Sequence, residues 1–146
     1  WRDLKEKLGG IWKLGRSNVY ALLSQLERDG LVLHERVEQS NLPSRKVFHL
    51  TTRGRRMVDE WMRSPVGHVR DFRLEFPAKL HFARAHSSVL ASQLINDQVA
   101  VCVRKREETE AALAQAKTEI ERQVLEYRIG VISSTVAWLE GLLARG

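Results

Sequence analysis

The sequence has one cysteine, three prolines and no long hydrophobic run. A single cysteine, Cys102, excludes an intrachain disulfide, so we expect a reducing, cytoplasmic setting. Its apolar neighbours in a helical segment favour a buried, inert thiol over a redox sensor. Because no apolar stretch reaches the about 20 residues of a membrane-spanning helix, no membrane partner is expected.

The sequence also lacks the residue clusters of an enzyme or a metal site. Its five histidines are scattered, and neither a glycine-rich phosphate loop nor a Cys/His ligand spacing is present. We therefore expect no catalytic residues, no metal and no cofactor.

Acidic residues are fewer than basic ones: the sequence has 18 Asp and Glu and 24 Lys and Arg, which gives a net charge of +6. The excess lies in residues 1–65, which hold 13 basic and 8 acidic residues, whereas residues 66–146 hold 11 and 10. A segregated basic excess is typical of a segment that meets a polyanion. Residues 1–65 are thus the candidate nucleic-acid-binding domain.

The segment from Arg16 to Gly30 predicts a helix with two different faces. Its apolar residues recur at helical spacing and form the face expected to be buried: Val19, Leu22, Leu23 and Leu26. Gly30 is expected to end the helix because glycine accepts a left-handed backbone. The opposite face and its flanks carry small, hydrogen-bonding or basic side chains, which allow a helix to approach base edges in the major groove: Arg16, Ser17, Asn18, Tyr20 and Ser24.

Two β-leaning runs follow, residues 31–37 and 46–50, with the turn-rich residues 38–45 between them. The pattern predicts a β-hairpin with a long loop. Its tip and returning strand present a hydroxyl group and two adjacent cations, which suit DNA phosphate: Ser44, Arg45 and Lys46. Taken alone, these cations are equally typical of a solvated hairpin tip.

These residues closely resemble the DNA-binding half of PadR-type transcriptional regulators. The resemblance covers the first 65 residues, through the runs Gly10 to Leu22, Leu26 to Leu31 and Ser44 to Gly54. Shared features are a tryptophan before the recognition helix, a serine and a tyrosine at its start, a basic and aromatic returning strand, and a Leu-Thr-x-x-Gly helix start. It continues more weakly through Asp71–Phe72 and Lys79–Ala83.

The resemblance implies a transcriptional repressor of double-stranded operator DNA, with a small-molecule effector as a further possibility. Because one winged helix reads only a few base pairs, we expect a homodimer on a pseudo-palindromic operator. The polar face of the helix would enter the groove, while Arg45 and Lys46 would contact phosphate or the minor groove, supported by Ser44 and Lys13. Two alternatives stay open: a winged-helix module that binds protein instead of specific DNA, and a MarR-like regulator.

A winged helix-turn-helix needs two helices ahead of its recognition helix. The sequence begins at Trp1, and Leu4–Leu8 resembles the end of the second of these helices, so we expect the first to be missing. In its absence the apolar side of Val19, Leu22 and Leu26 would be exposed.

Residues 66–146 read as almost wholly helical. Pro77 suits the first turn of a short helix that runs to about His86, and Ser87 or Ser88 suits the cap of the next helix. The last helix, from about Glu119 to Ala144, carries two apolar stripes, which is too much apolar surface for one neighbour. One stripe is expected to pack on its own chain and the other on a second subunit, with these dimerisation candidates: Val124, Tyr127, Val131, Val136, Trp138, Leu139 and Leu142.

The sequence as a whole predicts a mainly α fold with a small β-hairpin wing. A winged helix-turn-helix domain would occupy residues 1–65, and a helical C-terminal dimerisation domain residues 66–146. Trp61, Tyr127 and Trp138 could line an aromatic effector pocket, although aromatic residues at helical spacing more often belong to a core.

Overall fold

The computed structural model describes residues 15–39 and 42–145. Within these ranges the chain is mainly helical, with a two-stranded antiparallel sheet, as the sequence predicts. It divides into two compact units between Trp61 and Met62, close to the boundary predicted after residue 65. No helix of the described ranges is long and apolar enough to cross a membrane. The elements, in chain order, are α1 (Arg16–Arg28), β1 (Val32–Gln39), β2 (Leu42–Leu50), α2 (Thr52–Arg63), α3 (Val69–His86), α4 (Ser88–Ala114) and α5 (Glu119–Ala144).

A tight junction follows α1 in the N-terminal unit. Gly30 adopts the predicted left-handed backbone, with φ of 69°, and ends the helix. Thr51 then closes the junction, because its hydroxyl donates to the Gly30 carbonyl at 2.8 Å and accepts from the Gly54 N–H at 3.0 Å. The second of these bonds caps α2. Thr51 therefore links the residues that follow α1 to the start of α2.

The wing, which we define as the hairpin of β1 and β2, is longer than predicted. The prediction of a long turn-rich loop was wrong, since β1 extends to Gln39 and β2 begins at Leu42. Ser44 and Arg45 therefore lie within a strand. The antiparallel pairing continues almost to the strand ends, with one register shift after Val37. The backbone ladder overrides the turn-forming composition of these residues.

The C-terminal unit consists of three helices around an apolar core. Ser87 caps α4, since its hydroxyl accepts from the N–H groups of Val89 and Leu90, and Thr118 forms a capping box with Glu121 at the start of α5. The cap of α4 at Ser87 and the extent of α5 are as predicted. The core is formed by residues of all three helices, among them Phe76, Leu94, Ile132 and Leu139.

The prediction for Pro77 was wrong. α3 begins at Val69, so Pro77 lies inside an 18-residue helix and not in the first turn of a shorter one. Proline has no N–H to donate to the carbonyl four residues earlier, which weakens the helix there. Phe76 and Ala78, on either side of it, are completely buried. We attribute the continuity of α3 to this burial, which offsets the lost hydrogen bond.

Lys79 is a buried cation that the sequence did not single out. Its side chain is 2% exposed, and its ammonium group donates to the Ser64 carbonyl at 2.7 Å and to the Ser64 hydroxyl at 3.1 Å. Glu75, one turn earlier on α3, lies 3.0 Å from the same ammonium group. Because a buried charge is tolerated only when it is paired and hydrogen-bonded, this set fixes the residue that follows α2 against α3.

Candidate nucleic-acid interface

The outer face of α1 carries the residues predicted to enter a DNA groove. Ser17, Asn18 and Ser24 are exposed, and Tyr20 is 48% exposed. Arg16 is the first residue of the helix, but its side chain lies outside the described part of the structure, as does the whole of Lys13. The four described side chains thus form a continuous polar surface of short or hydrogen-bonding groups.

The opposite face of α1 is only partly covered. Val19 and Leu23 are half-buried, as the predicted stripe requires. Leu22 and Leu26 are 54% and 37% exposed, so the prediction of a fully buried stripe was wrong for these two residues.

The start of α1 favours negative charge. Gly15 occupies the N-cap position and has no side chain that could bond the first N–H groups, and the first turn holds no acidic residue. The helix dipole at this end attracts an anion such as a phosphate. The amino end of α1 therefore suits a DNA backbone.

The strand register separates the two cations that the sequence had paired. Arg36 lies opposite Lys46, whereas Arg45 lies opposite Val37. Because side chains alternate between the faces of a strand, Lys46 shares a face with Arg36, and Arg45 points to the other side. Ser44 lies on the first face as well, and its hydroxyl accepts from Arg36 Nε at 2.8 Å.

We call this surface, formed by Arg36, Ser44 and Lys46, the wing face. Sequence reasoning missed Arg36, because a single arginine in the outgoing strand has no signal of its own. Its place beside Lys46 would have marked Arg36 as a candidate, but that place depends on the register of the hairpin.

A contact between Glu27 and His34 joins α1 to the wing face. The Glu27 carboxylate and His34 Nδ1 are hydrogen-bonded, and the His34 ring lies 5.7 Å from that of Phe48. The hydrogen bond from His34 lowers the pKa of Glu27, partial desolvation opposes this, and the charges of His34 and Lys46 lower the pKa further. His34 and Arg36 are two residues apart in β1 and share a face of the wing. The cations of the wing face therefore stand on the side of the wing that adjoins α1.

Polar side chains also order the carboxyl end of α1. Arg28 donates to Gln25 Oε1 at 2.6 Å, and Gln25 Nε2 donates to Asp29 at 2.9 Å. Arg53, at the start of α2, donates to the Asp29 carbonyl at 3.0 Å. These bonds order Gln25 and Arg28 beside the polar face of α1.

The burial along α5 separates the two predicted stripes. Val124, Tyr127 and Trp138 are exposed, at 40%, 74% and 42%, while Val131 and Leu142 are half-buried. Val136 and Leu139, however, are 7% and 0% exposed and belong to the core of their own chain. Their assignment to the dimer surface needs correction, because they lie on the stripe that faces α4 and cannot also meet a partner.

Tyr127 and Trp138 line one cavity of about 600 Å³ on the C-terminal unit, together with Phe72 and Val131. The Trp138 ring meets those of Phe72 and Phe76 edge-on, at 5.9 and 6.0 Å. Two of the three aromatic residues of the predicted pocket are thus neighbours. Trp61, the third, belongs to the N-terminal unit.

Comparison with known proteins gives the chain a family context. A model described as "Transcriptional regulator PadR-like family" matches residues 1–60. The "Negative transcriptional regulator PadR" of Bacillus subtilis (strain 168) is 25% identical over 154 residues, covering 96% of this chain and 83% of the relative. The family and this relative are transcriptional regulators, not enzymes.

Two solved structures are similar over nearly the whole chain. Bacillus subtilis PadR in complex with operator DNA is 24% identical, covering 99% of this chain and 86% of that one, with a TM-score of 0.44. The smu.1604c protein of Streptococcus mutans UA159 is 23% identical, covering 97% and 85%, with a TM-score of 0.46.

Proposed function

We propose that the chain represses transcription by binding a pseudo-palindromic operator as a homodimer, because its residues 1–60 match the PadR-like family of transcriptional regulators. One observation carries this proposal: α1 and the wing adjoin each other within one compact unit, where Glu27 of α1 is hydrogen-bonded to His34 on the same side of the wing as Arg36 and Lys46. A groove-reading helix beside a phosphate-binding hairpin is the layout of a DNA-binding winged helix.

In this proposal α1 lies in the major groove. Asn18, with an amide that can donate and accept, is suited to a base edge, and Ser17, Tyr20 and Ser24 are suited to bases or to the adjacent phosphates. Arg36 and Lys46 contact the backbone beside the groove and fix the register of the helix. Neutralising one such phosphate contact should lower the slope of log affinity against log salt concentration by about 1.

The exposed stripe of α5 would form the dimer surface. Monomeric proteins seldom leave a row of large apolar side chains in water, and Ile120, Val124, Tyr127 and Trp138 are each at least 40% exposed. A two-fold dimer through this stripe would bring two copies of the N-terminal unit to one operator, whose half-sites lie about 34 Å apart, one turn of DNA. Recognition of two half-sites would then supply the specificity that one winged helix lacks.

A small-molecule effector would act by changing the geometry of this dimer. The cavity that Tyr127 and Trp138 line lies on the same stripe of α5, so a ligand bound there would contact the proposed interface. A ligand that binds more tightly to a dimer unable to span both half-sites would release the operator.

The affinity of the chain for a labelled fragment of its own upstream region tests the proposal. We expect a shift that resists a scrambled competitor, a footprint with two-fold symmetry, and an affinity that falls with salt. Equal and weak binding of both fragments would argue against a specific repressor and favour a winged helix that binds protein.

A further inference from the structure

A second cavity on the C-terminal unit has a strongly basic lining. It has a volume of about 810 Å³ and lies where the start of α3 meets α4 and α5. Its lining includes Arg70 and Arg73 of α3, Lys105 of α4 and Arg128 of α5, as well as His68, which precedes α3. No carboxylate is among its lining residues within the described part of the chain. We call this site the basic cavity.

Two of its cations are already partly neutralised, and two are not. Lys105 Nζ lies 2.9 Å from the carboxylate of Glu108, and Arg70 Nε lies 3.6 Å from that of Asp71. Arg73 and Arg128 form no ion pair within the described ranges. Because two guanidinium groups remain uncompensated, the charge of the site is best matched by a ligand with two negative charges.

The remaining lining is apolar. It comes from three residues of α5: Val131, Ile132 and Tyr127, whose side chain is 74% exposed. Thr109 also lines the cavity, but its hydroxyl proton is donated to the Lys105 carbonyl at 2.7 Å. A bare inorganic ion would leave this apolar surface in contact with water, whereas an organic body would cover it. The volume also lies in the range of small-molecule sites, about 300–1,000 Å³.

We propose that the basic cavity binds an organic dianion, one per chain, of the type of a phosphate monoester with an apolar body. The doubly charged group lies between Arg73 and Arg128, each donating through a planar guanidinium group. The apolar body lies against Tyr127 and Val131. These two residues also line the cavity that contains Trp138, so the ligand adjoins the exposed stripe of α5. From this position the ligand would change the affinity for the operator, an effect that rests on the proposed function.

The test uses the full chain and two probes, 1-naphthyl phosphate and its uncharged counterpart 1-naphthol, in isothermal titration calorimetry. We expect saturable binding of one phosphate per chain and at least tenfold weaker binding of the naphthol. The variant Arg73→Gln/Arg128→Gln should lose at least tenfold in affinity for the phosphate. Arg84→Gln/Arg104→Gln removes two exposed arginines of the same unit outside the cavity and should change the affinity less than twofold.

Three results would overturn the inference: no saturable binding of the phosphate, equal affinity for both probes, or an equal loss in the control variant. Operator affinity without probe provides a further arm. If Arg73→Gln/Arg128→Gln weakens operator binding and no probe binds, the basic cavity is a DNA surface and the inference fails while the proposed function stands. If the wild-type chain binds the phosphate as expected but no operator, the proposed function fails and the dianion site stands.

Discussion

Gln98 and the backbone of Val66 form a closed pair of hydrogen bonds inside the C-terminal unit. The Val66 N–H donates to Gln98 Oε1 at 2.6 Å, and Gln98 Nε2 donates to the Val66 carbonyl at 3.0 Å. Both residues are buried, with 1% and 4% of their surfaces exposed. The pair holds the segment between α2 and α3 against α4 and satisfies two backbone groups that have no helix or strand of their own.

Replacing Gln98 by leucine should lower the free energy of unfolding by about 2–4 kcal/mol, because it leaves the buried N–H and carbonyl of Val66 without partners. Urea denaturation at neutral pH measures the loss. The matched control is Gln93→Leu on the exposed side of the same helix, which should change the free energy by less than about 0.5 kcal/mol. Equal losses in the two variants would show that the bonds to Val66 contribute nothing specific.

The sequence predicted those features that depend on local chemistry. Gly30, Ser87 and the limits of α5 follow from capping preferences and hydrophobic spacing, which act within a few residues. Gln98 and Lys79 were not predicted, since each acquires its role from a backbone group brought to it by the tertiary fold. A glutamine or lysine within a helix is ordinarily a surface residue.

The candidate site shows the same division. The polar face of α1 could be predicted from helical spacing alone, because it lies within one element. The wing face could not, since the partnership of Arg36 with Lys46 requires the strand register. The dimer candidates Val136 and Leu139 were misassigned because spacing finds two stripes on α5 but does not say where the boundary between them lies.

Arg36 and Arg45 provide a test of which side of the wing meets DNA. Arg36→Gln should lower the slope of log affinity against log salt concentration by about 1, as expected when one phosphate contact is lost. Arg45→Gln removes the same charge from the opposite face and should have a smaller effect. Fluorescence anisotropy on operator DNA at several salt concentrations compares them.

A larger loss for Arg45→Gln would place the DNA on the other face of the wing. Because Arg36 also donates to Ser44, the variant Ser44→Ala serves as a control. It removes that bond and keeps the charge, so it should leave the salt dependence unchanged.

The Glu27–His34 contact should make the stability of the N-terminal unit depend on pH. The pKa of Glu27 is lowered in the folded state from its ordinary value of 4.5, chiefly by the hydrogen bond from His34. A lowered carboxyl pKa stabilises the fold above the unfolded value, and the contribution disappears as pH falls through the folded value. The difference in unfolding free energy between wild type and Glu27→Gln should therefore be greatest above pH 4.5 and shrink at lower pH.

Urea denaturation at pH 7, 5, 4 and 3 follows this difference. A double-mutant cycle with His34→Gln isolates the contact, because Glu27→Gln should have much less effect once its partner is gone. A difference that is constant with pH, or that survives the loss of His34, would rule out this contact as the source.

The proposed dimer surface can be tested with one added charge. Val124→Glu places a carboxylate in the exposed stripe of α5, where an apolar partner surface would have to desolvate it. We expect dissociation to monomers in sedimentation equilibrium, with secondary structure retained in circular dichroism. Gln123→Glu adds the same charge one residue away and outside the stripe, and it should leave the assembly unchanged. If Val124→Glu associates as the wild type does, the dimer does not use this stripe.

Gly54 should be irreplaceable at the start of α2. A Cβ atom on this residue would lie 2.0 Å from the Leu31 carbonyl oxygen and 3.2 Å from a methyl group of Leu50. The nearer atom belongs to the backbone and cannot rotate away, so α2 would have to move from Leu31. That movement would stretch the bond from the Thr51 N–H to the same carbonyl, now 3.0 Å long. Gly54→Ala should therefore lower the free energy of unfolding by about 3 kcal/mol, as overpacking does.

The same variant should also weaken operator binding, because Leu31 follows the end of α1 and precedes the wing. Gly67→Ala is the matched control: no atom lies within 4 Å of a Cβ at that position, and its unfolding free energy should stay within about 0.5 kcal/mol of wild type. Thermal denaturation and operator titration of both variants make the comparison. If Gly54→Ala is as stable as the wild type, α2 can shift freely relative to Leu31. If the variant loses stability but keeps its operator affinity, this junction does not position α1.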